Sequence, residues 1–155
     1  MSDAQTIVQL LIERGETVAT AESLTGGMVT AVLTTVPGSS AVVRGGLVVY
    51  ASDLKTSLAG VPAQLLAEYG AVHPEVALAL AAGARTVCRA DWGIGLTGVA
   101  GPDPQDGVAP GRVYLGIAGP AGTTCHELDL TGGRHAVRSA SVVAALRALH
   151  AALTG

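Results

Sequence analysis

Thr17-Val18-Ala19-Thr20-Ala21-Glu22-Ser23-Leu24-Thr25-Gly26-Gly27 is the stretch on which the fold turns. Thr17 to Thr20 reads as a short buried strand, because small and β-branched residues run there without a charge. Glu22 to Gly27 is a turn, and a helix from about Thr25 to Thr35 follows it. A strand handing over to a helix through a glycine pair is the beginning of an α/β unit. Upstream, Ile7, Leu10 and Leu11 recur at helical spacing, with Asp3 placed to cap the start and Gly15 the end. Downstream, Pro37-Gly38-Ser39-Ser40 is a loop or a new helix start, and Gly46 to Tyr50 predicts a second strand. Pro62 to Tyr69 and Pro74 to Arg89 predict helices opened by proline, the first stopped by Gly70. Trp92 to Thr97 predicts a strand, followed by a Gly/Pro-rich loop to Gly111. Arg112 to Ala118 and Thr123 to Leu130 predict two strands joined at Gly119-Pro120-Ala121-Gly122, a hairpin signal. Arg134 to Leu153 is the closing helix.

This alternation predicts a three-layer α/β/α sandwich with a mixed, mostly parallel sheet and a late antiparallel hairpin. No linker, repeat or low-complexity segment divides residues 1–155, so a single domain is expected. Hydrophobic residues make up 49% of the chain and charged ones only 14%, a lean surface that suits burial against a second subunit. Phe is absent, so the core must be built from Val, Leu, Ile and Ala. A net charge of −3 with no basic stripe argues against nucleic-acid binding. Cys88 and Cys125 stand in apolar stretches without neighbouring ligands, which reads as buried free thiols in a reducing, cytoplasmic setting. The polar start Met1-Ser2-Asp3 is unlike a signal peptide. The longest apolar run, Val76 to Ala82, is too short to span a bilayer, so no membrane partner is expected.

Several motif matches lack the context their chemistry needs. Gly93-Ile94-Gly95-Leu96-Thr97-Gly98 fits G-x-G-x-x-G, but it lies largely within a strand rather than between a strand and a helix. Ser52-Asp53-Leu54-Lys55 fits S-x-x-K without the partner motifs S-D-N and K-T-G. His73, His126, His135 and His150 show no H-E-x-x-H spacing, so neither metal nor cofactor is expected. Three hydroxyl- and glycine-rich loops remain: Glu22 to Gly27, Gly38 to Lys55, and Thr97 to Pro102. The first lies at a helix start, where backbone N–H groups attract anions, although a plain capping turn at Ser23 or Thr25 explains it as well. The second ends on Lys55, which follows apolar segments; burial would neutralise its amine and let it take a proton from a serine, whereas exposure would leave an ordinary surface lysine. The third is the exit of a strand, where α/β folds collect ligands. Arg44, Arg134 and Arg138 are candidate anion partners or simple surface charges.

Taken together, Thr20-Ala21-Glu22-Ser23-x-Thr25-Gly26-Gly27, Pro37-Gly38-Ser39-Ser40, Arg44-Gly45-Gly46, Tyr50 with Lys55, Gly60-Val61, Gly70-Ala71-Val72 and Thr97-Gly98-x-Ala100-Gly101-Pro102 follow one another over nearly the whole chain. This series resembles the CinA C-terminal (PncC) family in its free-standing form. The resemblance implies an amidohydrolase that converts nicotinamide mononucleotide to nicotinic acid mononucleotide and ammonia, in pyridine-nucleotide recycling, by a serine/lysine mechanism without metal. It implies Ser40 as nucleophile and Lys55 as base, with Ser23, Tyr50 and Thr97 as further catalytic residues. Backbone N–H groups near Ser39 and Ser40 would hold the oxyanion, and Thr25, Gly26 and Gly27 would cradle the phosphate. Gly98 and Gly101 would border ribose or pyridine, Arg44 is an anion candidate, and Arg138 rather than Arg134 would be the ligand arginine of the last helix. A homodimer is the expected assembly. The chain departs from the family pattern at Leu24 for Cys, Ser52 for Asn, His73 for Ser, and Asp103-Pro104-Gln105-Asp106-Gly107 for a glycine-rich run. The acidic run borders the expected pocket. Two other readings compete: a catalytically silent nucleotide-binding protein acting through partners, and hydrolysis of a different small amide.

Overall fold

The computed structural model describes residues 1–155 and is built around a five-stranded sheet in the order β2-β1-β3-β4-β5. The strands are β1 (Val18–Glu22), β2 (Val43–Val48), β3 (Trp92–Gly98), β4 (Arg112–Gly119) and β5 (Gly122–Asp129). β1 pairs parallel with both β2 and β3, while β3-β4 and β4-β5 are antiparallel. Four strands therefore point one way and β4 the other, as the expected mixed sheet with a late hairpin requires. The helices are α1 (Asp3–Arg14), α2 (Met28–Thr34), α3 (Ser52–Ser57), α4 (Ala63–Tyr69), α5 (Pro74–Cys88) and α6 (Arg134–Thr154).

β1 is an interior strand and buried at every position, so it reads as a continuous buried run rather than an alternation. The helices on either side of it in sequence, α1 and α2, pack with α6 on one face, while α5, which leads into β3, covers β1, β3 and β4 on the other. The larger core joins α1, α2 and α6 to one face of the sheet through Ile7, Leu11, Leu33, Leu115 and Leu149, all fully or almost fully buried. A smaller core lies under α5, around Val76, Leu80 and Ala84. Here the helix approaches the sheet closely enough that a Cβ at Gly95 would collide with the backbone of Ala77 and Ala81. The G-x-G-x-x-G match thus serves helix–sheet packing inside β3.

Several boundaries differ from the sequence expectation. Ser2 rather than Asp3 caps α1, through a reciprocal pair of hydrogen bonds with Gln5, and Gly15 ends the helix in the left-handed conformation at φ 66°. β2 begins three residues before the expected Gly46, because its register on β1 sets Val43 against Val18 and Val48 against Glu22. Ser39–Ala41 forms one 3₁₀ turn just before β2. α3 was not expected; it has only six residues and no side-chain cap, so no periodicity announces it. α6 is 21 residues long with a mean hydropathy of 1.3 over its most apolar window, long and apolar enough to cross a membrane by composition. It lies along the sheet with Val137, Val142, Leu146, Leu149 and Leu153 buried.

Candidate active site

In a sheet of this kind, ligands bind beyond the carboxyl ends of the strands where successive connections diverge. β1 is that strand, and the residue immediately after it is Ser23. A cavity of about 380 Å³ opens there, with Ser23, Lys55, Thr97, Tyr50, Asp103 and Arg134 on its walls. Its floor is deep: Ser23 is 7% exposed, and Lys55 and Thr97 1% each. Its rim is open, with Tyr50 62% exposed.

Lys55 reaches the floor from α3. Its Nζ donates to Ser23 Oγ at 2.9 Å, to the Val49 carbonyl at 2.8 Å and to the Tyr50 carbonyl at 3.1 Å. Three acceptors match the three protons of an ammonium group. Burial pulls its pKa from 10.5 down to about 8, because a desolvated ammonium is disfavoured. When the proton leaves, the two carbonyls can only accept, so they retain the two remaining N–H bonds. The amine lone pair is then left facing Ser23, the one partner with a proton to give.

The expected pairing of Lys55 with Ser40 is therefore corrected. Ser40 is exposed in the turn that precedes β2, whereas Lys55 lies beyond the other end of that strand. A six-residue strand separates them by roughly 20 Å. Ser39 stands beside Ser40 at the wrong end of the sheet: its amide is taken by the Val36 carbonyl and its hydroxyl donates to Thr34 O at 3.5 Å. The oxyanion role expected for these amides falls with them. Next to Ser23, by contrast, no backbone carbonyl takes the amide N–H of Leu24 or Thr25.

The expected phosphate cradle at Thr25, Gly26 and Gly27 is also corrected, because the start of α2 is already occupied by a carboxylate of the chain itself. Glu22 is fully buried and accepts from the Val29 and Thr30 amides, each at 3.0 Å, and from the hydroxyls of Thr25 at 2.6 Å and Thr30 at 2.9 Å. Thr20 adds a longer contact at 3.2 Å. The positive end of the helix and its free amides are spent on Glu22, so no second anion fits there. This role was missed in the sequence, although threonines at 20, 25 and 30 around a glutamate at a strand end are the available signal.

The arginines also exchange parts. Arg138 Nε donates to Leu24 O at 2.9 Å and so braces the turn from behind. Arg44 Nε donates to Cys88 O at 2.7 Å, away from the cavity. Arg134 is the one that reaches the rim, where it bridges Gly101 O at 2.7 Å and the Tyr50 hydroxyl at 3.1 Å. Thr97 donates to Ala71 O at 2.6 Å, which ties the Ala71–Val72 wall to the end of β3. Gly98 and Gly101 do line the cavity, the latter at φ 91°. No three His, Cys, Asp or Glu side chains converge as a metal-ligand set.

The departures from the family pattern are accommodated locally. His73 takes over the cap of α5, its Nδ1 accepting from the Glu75 amide at 3.1 Å while its ring stacks on Tyr69. Leu24 is buried in the larger core beside the cavity. Asp106 turns away from the cavity mouth and accepts from the Ala71 amide at 3.4 Å. Asp103 faces the cavity.

The model of the CinA C-terminal domain family matches residues 2–153. This chain belongs to that family. A CinA-like protein of Frankia casuarinae is 45% identical over 149 residues, covering 96% of this chain and 34% of its own length. The chain spans about a third of the length of the curated relatives it matches. Among solved structures, the competence/damage inducible protein CihA of Agrobacterium tumefaciens superposes with a TM-score of 0.89 at 36% identity, over 100% of this chain and 98% of that one. A competence-damaged protein (CinA) superfamily member from Klebsiella pneumoniae reaches a TM-score of 0.94 at 29% identity, over 98% and 96% of the two chains.

Proposed function

We propose that this CinA C-terminal domain is an amidohydrolase that converts nicotinamide mononucleotide to nicotinic acid mononucleotide and ammonia, with Ser23 as nucleophile and Lys55 as its proton carrier. The observation that carries the reading is the coordination of Lys55, whose only hydroxyl partner is Ser23 and whose other two partners cannot yield a proton. Ser23 Oγ attacks the carboxamide carbon as its proton passes to Lys55 Nζ. The tetrahedral oxyanion is held by the free amides of Leu24 and Thr25. Lys55 then returns the proton to the amide nitrogen, the C–N bond breaks and ammonia leaves an ester on Ser23. Water, deprotonated by the same amine, cleaves that ester to the carboxylic acid and restores the serine. With a pKa of about 8, about a tenth of Lys55 is neutral at pH 7, enough to supply the base without a metal. Arg134 at the rim supports an anionic substrate, and the cavity of about 380 Å³ suits a mononucleotide bound with its phosphate near the opening.

The test is ammonia release from nicotinamide mononucleotide, with nicotinamide and glutamine as controls. Ser23→Ala should reduce turnover by at least about a thousandfold, and Ser40→Ala should leave it nearly unchanged. Loss of activity in Ser40→Ala with retention in Ser23→Ala would reverse the assignment. Nucleotide binding without turnover in the unaltered protein would instead favour a silent nucleotide-binding protein.

A further inference from the structure

Asp103 is the one acidic residue on the walls of the cavity, and its carboxylate has no hydrogen-bond or ion-pair partner in the protein. The other charged group of the rim, Arg134, is committed to Gly101 and Tyr50. The loop that carries Asp103 is held in place on both sides. Gln105 and Val108 exchange backbone hydrogen bonds at 3.0 and 2.8 Å, the Gly111 amide donates to Val99 O at 2.8 Å, and Arg134 pins Gly101. A free carboxylate on a braced loop is a preorganised acceptor.

Depth decides what it can meet. The carboxamide must lie on the buried floor with Ser23 and Lys55, whereas Asp103 is exposed at the rim together with Tyr50. A carboxylate repels a phosphate, so the phosphate takes the Arg134 side of the opening. The part of a mononucleotide left for Asp103 is the sugar between base and phosphate. An ionised carboxylate only accepts hydrogen bonds, and a vicinal diol offers two donors at the separation of its two oxygens. We propose that Asp103 reads the ribose, accepting from its 2′- and 3′-hydroxyls and making the site select ribonucleotides over their deoxy counterparts. This rests on the amidohydrolase reading for its substrate, but not on turnover for its test.

The experiment compares nicotinamide mononucleotide with its 2′-deoxyribose counterpart in the unaltered protein and in Asp103→Ala. Ammonia release gives kcat/KM, and calorimetry gives Kd. The unaltered protein should favour the ribonucleotide by about tenfold to a hundredfold, mostly in KM. Asp103→Ala should bring the two substrates to within about threefold by weakening the ribonucleotide more than its 2′-deoxy counterpart, which has only the 3′-hydroxyl contact to lose. Its thermal unfolding should match that of the unaltered protein. Equal use of both sugars by the unaltered protein, or discrimination that survives in Asp103→Ala, would overturn the proposal. If no ammonia is released, the amidohydrolase reading fails by itself; a ribose preference in Kd that vanishes with Asp103 still upholds the sugar contact, and absence of binding or of preference defeats it.

Discussion

One proton separates the two working states of Lys55. The ammonium saturates three acceptors and cannot act as a base; the amine keeps both carbonyls and presents its lone pair to Ser23. Activity should therefore follow deprotonation. If the proposed reaction holds, kcat/KM for ammonia release should rise tenfold per pH unit below about 8 and level off above it in a pH profile of the unaltered protein. Lys55→Arg should be inactive across the range, since a guanidinium does not deprotonate in a protein. A flat profile from pH 6 to 9 would remove Lys55 from the chemistry. Glu22 is the other decisive residue, and its part is structural. Glu22→Ala would strand two helix amides and two hydroxyls in a largely buried place. Urea unfolding should show a loss of about 3–5 kcal/mol, larger than that of any surface carboxylate on the chain.

Secondary elements were legible to the extent that burial wrote them into the sequence. β1 and β3 are buried on both faces, so their apolar runs stand out, and α1 and α5 carry helical periodicity with terminal caps. The sequence places β2 three residues late because an edge strand with exposed Arg44, Gly46 and Val48 has no continuous apolar run. Lys55 is singled out as a base only by the family resemblance, and no periodicity announces the six-residue helix that aims it. Ser23 and Ser40 looked alike as hydroxyl turns; only strand ends distinguish them, one following the carboxyl end of β1 and the other preceding the amino end of β2. Asp103 and Asp106 looked equivalent too, yet Asp106, at φ 50°, accepts from the Ala71 amide, whereas the Asp103 carboxylate has no partner in the protein. The glycines of β3 also owe their meaning to an element, the helix packed against them. Gly95→Val should unseat α5 from the sheet, because the new side chain meets helix backbone rather than a movable side chain. We expect a loss of at least about 1–3 kcal/mol in denaturant unfolding. Gly133→Ala has open space, so it should change stability little; equal effects at the two positions would refute the packing argument.

At the scale of the molecule, the site is a buried charge maintained by the fold. Folding lowers the Lys55 pKa from 10.5 to about 8, so between these values the unfolded chain holds a proton that the native chain has lost. Stability therefore rises with pH through this window on account of Lys55, while below about 8 the cost of burying the ammonium is carried in full. Tyr69, Cys88 and Cys125 act with the opposite sign. Their pKa values are raised in the folded chain, by the Glu68 charge for Tyr69 and by burial for the two thiols, so stability falls as the unfolded forms ionise. The net curve of the unaltered protein mixes both signs and identifies neither. Subtracting the curve of Lys55→Met isolates the lysine, because the other three groups remain in both proteins. Lys55→Met leaves the Val49 and Tyr50 carbonyls without their donor, which shifts the whole difference by a constant. The slope, however, belongs to the proton alone. Urea unfolding at several pH values from 7 to 10.5 should give a difference, unaltered minus variant, that is flat below about 8 and climbs steadily above it. A difference that is flat throughout would mean that Lys55 titrates alike in both states, and would take away the neutral amine on which the proposed chemistry depends.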